Sequence, residues 1–298
     1  GQWELTCRCN LTCMMCYTDP FNTPERIRQE LSCEEIIRIL DELNQAGCME
    51  LCFTGGEPLA RRDFLDIYIY AKKKGFLVTI FTNATLITAK IADYWVQYPP
   101  SMIEISFHGL TKGSFERITQ GQGSYERCLA GIRLILERNL PLTLKTTGMT
   151  VNRDEVLKIK EYVERLGNGC LNKVQYKFGS DIRPRLDGSE DVFQYQLSQE
   201  EITAIEQADT DFCAERIRQD RQREDFVRQG KSLCGGGKYK FHIDAYGQLQ
   251  LCSNNRAQGY DLRKGSFMRG FYELLPTFPC TYRSRQPDTG QALVQIER

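Results

Sequence analysis

The stretch TCRCNLTCMMCYTDP, residues 6–20, places four of the chain's thirteen cysteines within ten residues. Thiols this close together serve a disulfide framework, a zinc site or an iron–sulfur cluster. Cys9, Cys13 and Cys16 have the spacing C-x3-C-x2-C, and Cys7 lies two residues before them. Zinc sites usually take two separated pairs of ligands, whereas three thiolates on one loop suit a cubane cluster in which the fourth iron stays open. The spacing therefore favours a cluster.

The composition and charge are those of an ordinary globular protein. Hydrophobic residues make up 41% of the 298 residues and charged residues 26%, which allows one large domain, alone or with an appendage. The 39 basic side chains equal the 39 acidic ones, so the net charge is zero and we expect no nucleic-acid partner. No apolar run is long enough to cross a bilayer, so no membrane partner is expected either.

The number and setting of the cysteines bear on the compartment. Thirteen is an odd number, and no signal peptide opens the chain, which begins directly with Gly1-Gln2-Trp3. Clustered cysteines without an export signal are typical of metal sites or reactive thiols rather than of disulfides. We therefore predict a cytoplasmic protein. The abrupt start also suggests that residues are missing before Gly1.

Short apolar runs alternate with amphipathic stretches of helical length. The second stretch is typical: Ser32 and Glu35 form a capping box before an apolar helical pattern, and Gly47 ends it. Six strand-then-helix units in succession predict a parallel sheet with right-handed crossovers, that is, an α/β fold built as a partial (β/α)6 TIM-like barrel. The predicted strands are WELTC, CMELCFT, FLVTIFT, MIEISF, PLTLKTT and KVQYKF.

Unusual polar or glycine-rich segments follow the predicted strands. The cysteine loop follows the first strand, and TGGEP, TNAT, SFHG and TTGMT follow the next four. Since the carboxyl ends of parallel strands share one rim, and active sites of such barrels lie on that rim, all these segments are expected to form one site.

These motifs resemble those of the radical S-adenosylmethionine (radical SAM) enzymes, and the resemblance covers most of the chain. It implies a partial barrel of the radical SAM type whose first loop binds a [4Fe-4S] cluster and S-adenosylmethionine (SAM). By this resemblance Cys9, Cys13 and Cys16 are the cluster ligands. The implied SAM-binding residues are Tyr17 near the adenine, Gly55, Gly56 and Glu57 near the methionine amino group, and Asn83, Ser106 and Arg117 near the ribose and carboxylate.

The resemblance also implies the chemistry. Electron transfer from the cluster cleaves SAM and releases a 5′-deoxyadenosyl radical, while the protein supplies position and a dry cavity. Gly55 and Gly56 are expected to let the backbone approach the ligand closely, and Glu57 to accept from its ammonium group. No catalytic side chain is identified, and Lys145 and His108 are the candidates.

A second cysteine region begins at Cys234. The segment CGGGKYKFHIDAYGQLQLC has the form C-x12-G-x4-C with Gly247 and Cys252, and a hairpin turn is expected at 245–247. This resembles the opening half of a SPASM or twitch extension, which implies one or more auxiliary [4Fe-4S] clusters. Only Cys280 follows as a third ligand, so the cluster has an unusual ligand, or is damaged, or residues near Cys280 are missing. Two buried cysteines flanking a hairpin are the alternative.

The expected domains are a radical SAM barrel over 1–180, a helical connector over 181–230 and the SPASM/twitch-like region over 231–298. We predict a maturase that abstracts hydrogen from a residue of a peptide or protein, most simply a ribosomally synthesised precursor, to form a crosslink, a thioether, an epimerised residue or an excised fragment. Expected partners are this substrate, an electron donor such as flavodoxin or ferredoxin, and a separate peptide-recognition protein. The alternatives are a twitch-type dehydrogenase or rearrangement enzyme for a small molecule, and a metal-binding scaffold without SAM chemistry.

Overall fold

Six parallel strands pair in the order of the chain. They are β1 (Gln2–Glu4), β2 (Glu50–Thr54), β3 (Leu77–Thr82), β4 (Met102–Ser106), β5 (Leu142–Thr147) and β6 (Gln175–Gly179). The computed structural model describes residues 1–18, 23–167, 172–229 and 234–280. Within them each strand from β1 to β6 pairs with the next, and β6 does not pair back to close the sheet. The predicted α/β fold, a partial barrel with a parallel sheet, is confirmed.

Helices connect successive strands. Their bounds are α1 (Pro24–Gln29), α2 (Cys33–Gln45), α3 (Phe64–Lys73), α4 (Ala89–Gln97), α5 (Lys112–Thr119), α6 (Ser124–Glu137) and α7 (Val156–Leu166), with single 3-10 turns at Pro58–Ala60, Arg153–Glu155 and Asp191–Tyr195. The predicted capping box is present at α2, where the Ser32 hydroxyl accepts from Glu35 N and the Glu35 carboxylate accepts from Ser32 N. Local sequence therefore fixes where this helix begins.

The predicted helical connector after β6 contains two helices. They are α8 (Gln199–Gln207) and α9 (Thr210–Arg228). Asp209 lies between them, and its carboxylate accepts from the backbone N–H groups of Asp211 and Phe212. An aspartate in this position caps a new helix, so the chain turns here although its helical pattern continues.

The two faces of the parallel sheet differ in polarity. Paired residues of parallel strands point to the same face, and successive residues alternate. One face carries Trp3, Phe53, Ile80, Ile105 and Leu144, which are fully buried in the core formed with the helices. We call the opposite side the polar face; its paired residues include Gln2, Glu4, Cys52, Thr54, Thr79, Phe81, Glu104, Ser106, Thr143, Lys145, Gln175 and Lys177.

A small ribbon continues the sheet beyond β1. It consists of β7 (His242–Ile243), parallel to β1, and the antiparallel strands β8 (Gln248–Gln250) and β9 (Tyr260–Asp261). The predicted hairpin is confirmed, and Gly247 has φ +87°, which suits glycine in its turn. Short helical turns follow at Phe267–Arg269, Gly270–Leu274 and Leu275–Thr277. The predicted domain boundaries stay a prediction.

The helices give no sign of a membrane span. Among those in the described ranges, none is both long enough and apolar enough to cross a bilayer.

Candidate functional site

The cysteine loop leaves β1 and runs along the rim of the sheet. Its middle is held by α5, because Thr12 N donates to Thr119 O at 3.3 Å and Met14 N donates to Ile118 O at 2.9 Å. Cys16 N donates to Cys13 O at 3.0 Å, which closes a tight turn between these two ligand candidates. The loop is therefore shaped by its own backbone and by a neighbouring helix end.

The thiols of Cys9, Cys13 and Cys16 are half-buried and influence one another. Burial raises the pKa of Cys9 to about 12, and Glu57 and Cys16 add to the effect. The pKa of Cys13 is also raised, first by burial and then by the charges of Cys16 and Cys9. Thiolates gathered this closely repel one another, and a bound cation would relieve that repulsion.

The donor set fits a cluster better than a single ion. In the ranges that the structure describes, no three Cys, His, Asp or Glu side chains converge closely enough to hold one metal ion. A four-iron cluster offers each thiolate its own iron, so its ligands need not meet at one point. Leu11 N lies 3.4 Å from the Cys9 sulfur and Asn83 Nδ2 lies 3.8 Å from it, and such N–H donors stabilise a ligating thiolate.

Gly55 and Gly56 lie against the start of the cysteine loop. Gly55 has φ +148°, and a Cβ there would lie 2.2 Å from Thr6 O. A Cβ on Gly56 would lie 2.3 Å from Arg8 O. The sequence predicts that these glycines admit a ligand; the structure adds a second reason for them, because both must pass close to the backbone of the cysteine loop.

Glu57 is fully buried and accepts three hydrogen bonds from the chain. Its Oε1 accepts from Leu59 N and from the Thr82 hydroxyl at 3.1 and 2.8 Å, and its Oε2 accepts from Asn83 N at 2.7 Å. Burial raises its pKa to about 7 although these donors oppose the shift. The carboxylate thus joins the rim segments after β2 and β3, and its expected role as acceptor for the SAM ammonium group stays a prediction.

Asn83 links the segment after β3 to the cysteine loop. Its side-chain Nδ2 donates to Asn10 Oδ1 at 3.0 Å, and its Oδ1 accepts from the Thr85 backbone and hydroxyl. Asn10 in turn donates to the Thr85 hydroxyl at 2.7 Å. Asn10 and Thr85 were not foreseen from the sequence, although both stand within quoted rim motifs.

Tyr17 lies in a cluster of charged side chains that the sequence motifs do not predict. Its hydroxyl donates to Glu4 Oε1 at 3.2 Å, and the guanidinium carbons of Arg183 and Arg256 lie 5.2 and 5.5 Å from its ring centre. Arg256 binds Glu4 through two hydrogen bonds, one of them 2.8 Å long. The ribbon region, which carries Arg256, thus contacts the residue that follows the last cysteine of the loop.

Glu4 is the buried charge at the centre of this cluster. Its burial would raise its pKa, but His242 and Arg256 outweigh burial and hold the pKa well below its usual range. Glu4 is 1% exposed on a strand whose other face packs into the core. A glutamate inside a strand is a sequence signal for a buried ion pair, but its partner lies 252 residues away and cannot be read from the sequence.

The remaining rim candidates are spread over three elements. Ser106 ends β4 and is paired in register with Lys145 on β5. His108 is buried, and its Nδ1 accepts from Thr147 N at 3.1 Å. Burial, followed by the charge of Lys145, lowers the pKa of His108 to about 4, so it is neutral at pH 7. Arg117 is exposed on α5 and donates to Val151 O at 2.8 Å.

The structure brings the segments of the second cysteine region together. A Cβ on Gly236 would lie 3.5 Å from the Cys234 sulfur and 3.0 Å from Leu251 O, the residue before Cys252. Asn255 Nδ2 donates to Pro279 O at 2.8 Å, next to Cys280. Cys234 and Cys280 are exposed and Cys252 is half-buried. Within the described residues, these three thiols do not converge on one point where a single metal ion could bind.

Two cavities lie near the two cysteine regions. One, of about 500 Å³, is beside the first loop and is lined by Thr12, Cys13, Met14, Gln120, Arg185, Asp187, Ser189, Asp191 and Tyr195. The larger, of about 680 Å³, opens at the other end of the strands, where Cys48 and Cys252 are among its lining residues. The larger cavity is therefore not at the first cysteine loop.

Comparison with known proteins identifies the first half of the chain. The family model described as the radical SAM superfamily matches residues 3–163. An AdoMet-dependent heme synthase of Methanosarcina barkeri is 32% identical over 165 residues, which is 55% of this chain and 47% of that protein. A PqqA peptide cyclase of Bradyrhizobium diazoefficiens is 26% identical over 253 residues, 84% of this chain and 65% of that protein. The chain thus spans less than two thirds of the length of these relatives.

Solved structures share the fold. Native anSMEcpe with bound AdoMet superposes with a TM-score of 0.68 at 16% identity, covering 91% of this chain and 80% of the other. Streptococcus suis SuiB bound to S-adenosylmethionine gives a TM-score of 0.52 at 13% identity, covering 94% of this chain and 66% of the other. At this level of identity the likeness concerns the fold alone.

Proposed function

The chain belongs to the radical SAM superfamily, and on that basis we propose that it is a maturase that cleaves SAM reductively and abstracts hydrogen from a residue of a peptide or protein. The observation that carries the proposal is the meeting of three rim segments: the loop with Cys9, Cys13 and Cys16, the Gly55–Glu57 segment and Asn83. The family binds a [4Fe-4S] cluster and SAM.

We assign the cluster to Cys9, Cys13 and Cys16. When bound, it supplies the electron that splits SAM and yields a 5′-deoxyadenosyl radical. The chain's own residues fix the rim segments around this site. Glu57 joins the segments after β2 and β3 by accepting hydrogen bonds from Thr82 and Asn83. The Asn83 side chain and the Leu11 N–H direct donors at the Cys9 sulfur.

For SAM we keep Tyr17, Gly55, Gly56, Asn83, Ser106 and Arg117 as proposed contacts. We also keep Glu57, but the backbone beside Gly55 and Gly56 is the better candidate for the SAM ammonium group, because the Glu57 side chain is fully buried and already accepts three hydrogen bonds from the chain. His108 is neutral at pH 7 and its Nδ1 accepts from Thr147 N, so its proton lies on Nε2, which is suited to donate a hydrogen bond rather than to pair as a cation with a carboxylate.

The share of this chain that the relatives match supports a peptide substrate. Two PqqA peptide cyclases, of Bradyrhizobium diazoefficiens and Rhodopseudomonas palustris, are matched over 84% of this chain. Two others, of Granulibacter bethesdensis and Gluconobacter oxydans, are matched over 55% and 53%, no further than the heme synthase of Methanosarcina barkeri at 55%. Similarity that continues past the barrel favours a peptide-modifying enzyme over the small-molecule alternative. A structure of SuiB bound to precursor peptide SuiA has the same fold.

We further propose an auxiliary cluster at Cys234, Cys252 and Cys280, an electron donor such as flavodoxin or ferredoxin, a separate peptide-recognition protein, and a cytoplasmic setting. The support for the auxiliary site is the hydrogen bond between Asn255 and Pro279, which joins the segments of Cys252 and Cys280.

The direct test is SAM cleavage by the anaerobically reconstituted and reduced protein. We expect 5′-deoxyadenosine to form, and none to form in a Cys9→Ala/Cys13→Ala/Cys16→Ala variant. A Cys128→Ala variant is the matched control, since Cys128 is buried in the core. If the wild-type protein binds SAM and the iron that the Cys9→Ala/Cys13→Ala/Cys16→Ala variant lacks, but yields no 5′-deoxyadenosine with any reductant, the proposal fails.

A further inference from the structure

The charged side chains on the polar face are only partly paired. Glu4 is paired with Arg256, and Glu104 is paired with Lys177. Lys145 lies beside Lys177 in register on the neighbouring strand. Of the two lysines that β1–β6 present on this face, Lys145 has no carboxylate at ion-pair distance within the described part of the chain. The remaining carboxylate of the face, Glu50, is exposed at the start of β2, at the opposite end of the strands from the rim.

The surroundings of Lys145 hold its ammonium group within the sheet's polar side. The Nζ atom lies 5.4 Å from the centre of the Phe81 ring, two strands away across the face. Its positive charge contributes to lowering the pKa of His108, which follows β4, and opposes the rise in the pKa of Cys52 on β2. Lys145 itself is half-buried.

The neighbours of Lys145 cannot neutralise it. Glu104 is engaged with Lys177, and Ser106 and Thr143 carry no charge. His108 is neutral at pH 7 and could in any case only add positive charge. An anionic ligand is therefore the simplest counter-ion for Lys145, and a carboxylate is the anion that a peptide carries.

We propose that Lys145 binds a carboxylate of the substrate, the side chain of a Glu or Asp residue, and so selects peptides with an acidic residue at the site of modification. This inference rests on the proposed function and narrows its substrate class. Lysine suits the role because its ammonium group is a compact point charge with three donors.

The same carboxylate chemistry could come from the methionine part of SAM, and the experiment separates the two sources. The probes are N-acetyl-glutamate amide and its neutral isostere N-acetyl-glutamine amide, titrated calorimetrically into reconstituted protein saturated with SAM. We expect the wild type to bind the glutamate probe roughly tenfold more tightly than the glutamine probe, as for a hydrogen bond to a charged group.

Three variants make this test decisive. Lys145→Met should bind both probes equally, Lys145→Arg should keep the preference because it keeps the charge, and Lys90→Met on the exposed side of α4 is the matched control. SAM affinity, measured by equilibrium dialysis, should be unchanged in Lys145→Met. The proposal is overturned if Lys145→Met retains the preference, if the wild type has none, or if SAM affinity falls roughly tenfold.

Failure of this inference differs from failure of the proposed function. Probe binding is measured without turnover, so it can succeed in a protein that never cleaves SAM. Conversely, normal 5′-deoxyadenosine formation in the wild type together with indifference to the probe charge would reject the role of Lys145 and leave the proposed function standing.

Discussion

At the scale of single residues, the site depends on two buried carboxylates with opposite pKa shifts. Glu57 has its pKa raised to about 7 because burial outweighs its three donors. Glu4 has its pKa held well below its usual range, because His242 and Arg256 outweigh burial. The two groups therefore contribute to stability in opposite directions as the pH changes.

The raised pKa of Glu57 predicts that the free energy of unfolding depends on pH. Below pH 4.5 the carboxyl is protonated in both the folded and the unfolded chain. Between 4.5 and 7 the unfolded chain releases the proton while the folded chain keeps it, so rising pH destabilises the fold. Relative to a Glu57→Gln variant, the wild-type free energy of unfolding should fall by about 3 kcal/mol between pH 4.5 and pH 8.

Urea denaturation of both proteins across that range measures this difference. The comparison with Glu57→Gln cancels the titration of all other groups, including Glu4, whose contribution is present above pH 4.5 and is lost as the pH falls. A difference that stays constant with pH would show that Glu57 is ionised in the folded chain at pH 5.

Removing Arg256 should lower the free energy of unfolding strongly, because its partner Glu4 would remain as a buried charge. Arg256→Met should lower the free energy of unfolding by about 3 kcal/mol, because Glu4 would stay buried without the guanidinium that binds it. The double variant Glu4→Gln/Arg256→Met should lose less, since no charge is then stranded. The control Arg153→Met removes an exposed ion pair with Glu201 and should cost under about 1 kcal/mol. Equal losses in all three variants would contradict the stranded-charge explanation.

Only some residues of the site can be predicted from the sequence. Residues that stand in short motifs, such as Cys9 or Gly55, can be found because their spacing is local. Glu4 and Arg256 cannot be joined in advance, because their contact depends on where the ribbon docks against β1. The raised pKa of Glu57 was equally out of reach, since it follows from burial that only the packed rim creates.

At the scale of elements, the segment after β2 and the cysteine loop constrain each other. Their backbones approach so closely that the loop keeps its course only if residues 55 and 56 lack a Cβ. A change in one segment should therefore be detected in the other, although the two are far apart in the chain.

Gly55→Ala and Gly56→Ala should impair cluster binding without touching a ligand. The added Cβ would press on Thr6 O or Arg8 O, and at position 55 the positive φ adds strain. We expect each variant to lose about 1–3 kcal/mol of stability and most of the iron that the Cys9→Ala/Cys13→Ala/Cys16→Ala variant lacks, measured by urea denaturation and by iron analysis.

A matched glycine change in an open position isolates the steric effect. Gly113 on α5 has only the Thr111 hydroxyl near a new Cβ, at 3.9 Å. Gly113→Ala should bind iron normally and be neutral or slightly stabilised, as alanine is in a helix. Normal iron content in Gly55→Ala would show that the loop has room to shift.

Local patterns predict most elements well and fail where tertiary contacts intervene. The capping box of Ser32 and Glu35 needs no other part of the chain, and the structure has it as predicted. The break between α8 and α9 depends on Asp209, which also binds Lys160 of α7. A helical pattern alone could not reveal that contact.

At the scale of the whole molecule, the ribbon and the barrel share one sheet. Trp3 on β1 pairs with Ile243 on β7 as well as with Phe53 on β2, and all three belong to one hydrophobic core. The sequence indicates the hairpin through Gly247, but it does not show that β7 joins the sheet beside β1, since two residues of strand carry little pattern.

This shared core predicts that the ribbon and the barrel unfold together. Leu249 on β8 is fully buried in that core, and the chain's two tryptophans, Trp3 and Trp95, both report on the barrel. Leu249→Ala should therefore lower the free energy of unfolding by about 2–5 kcal/mol in a urea titration followed by tryptophan fluorescence. The control Val96→Ala, on an exposed position of α4, should change it by less than about 0.5 kcal/mol.

Hydrogen exchange locates the effect of the same variant. If the sheet is one cooperative unit, Leu249→Ala should speed the exchange of amides in β2 and β3 by the same factor as those in β7 and β8. Faster exchange confined to the ribbon, with an unchanged fluorescence transition, would mean that the ribbon opens by itself. In that case Arg256 would leave Glu4 and Tyr17 whenever the ribbon opens, and the contact between the two cysteine regions would be intermittent rather than permanent.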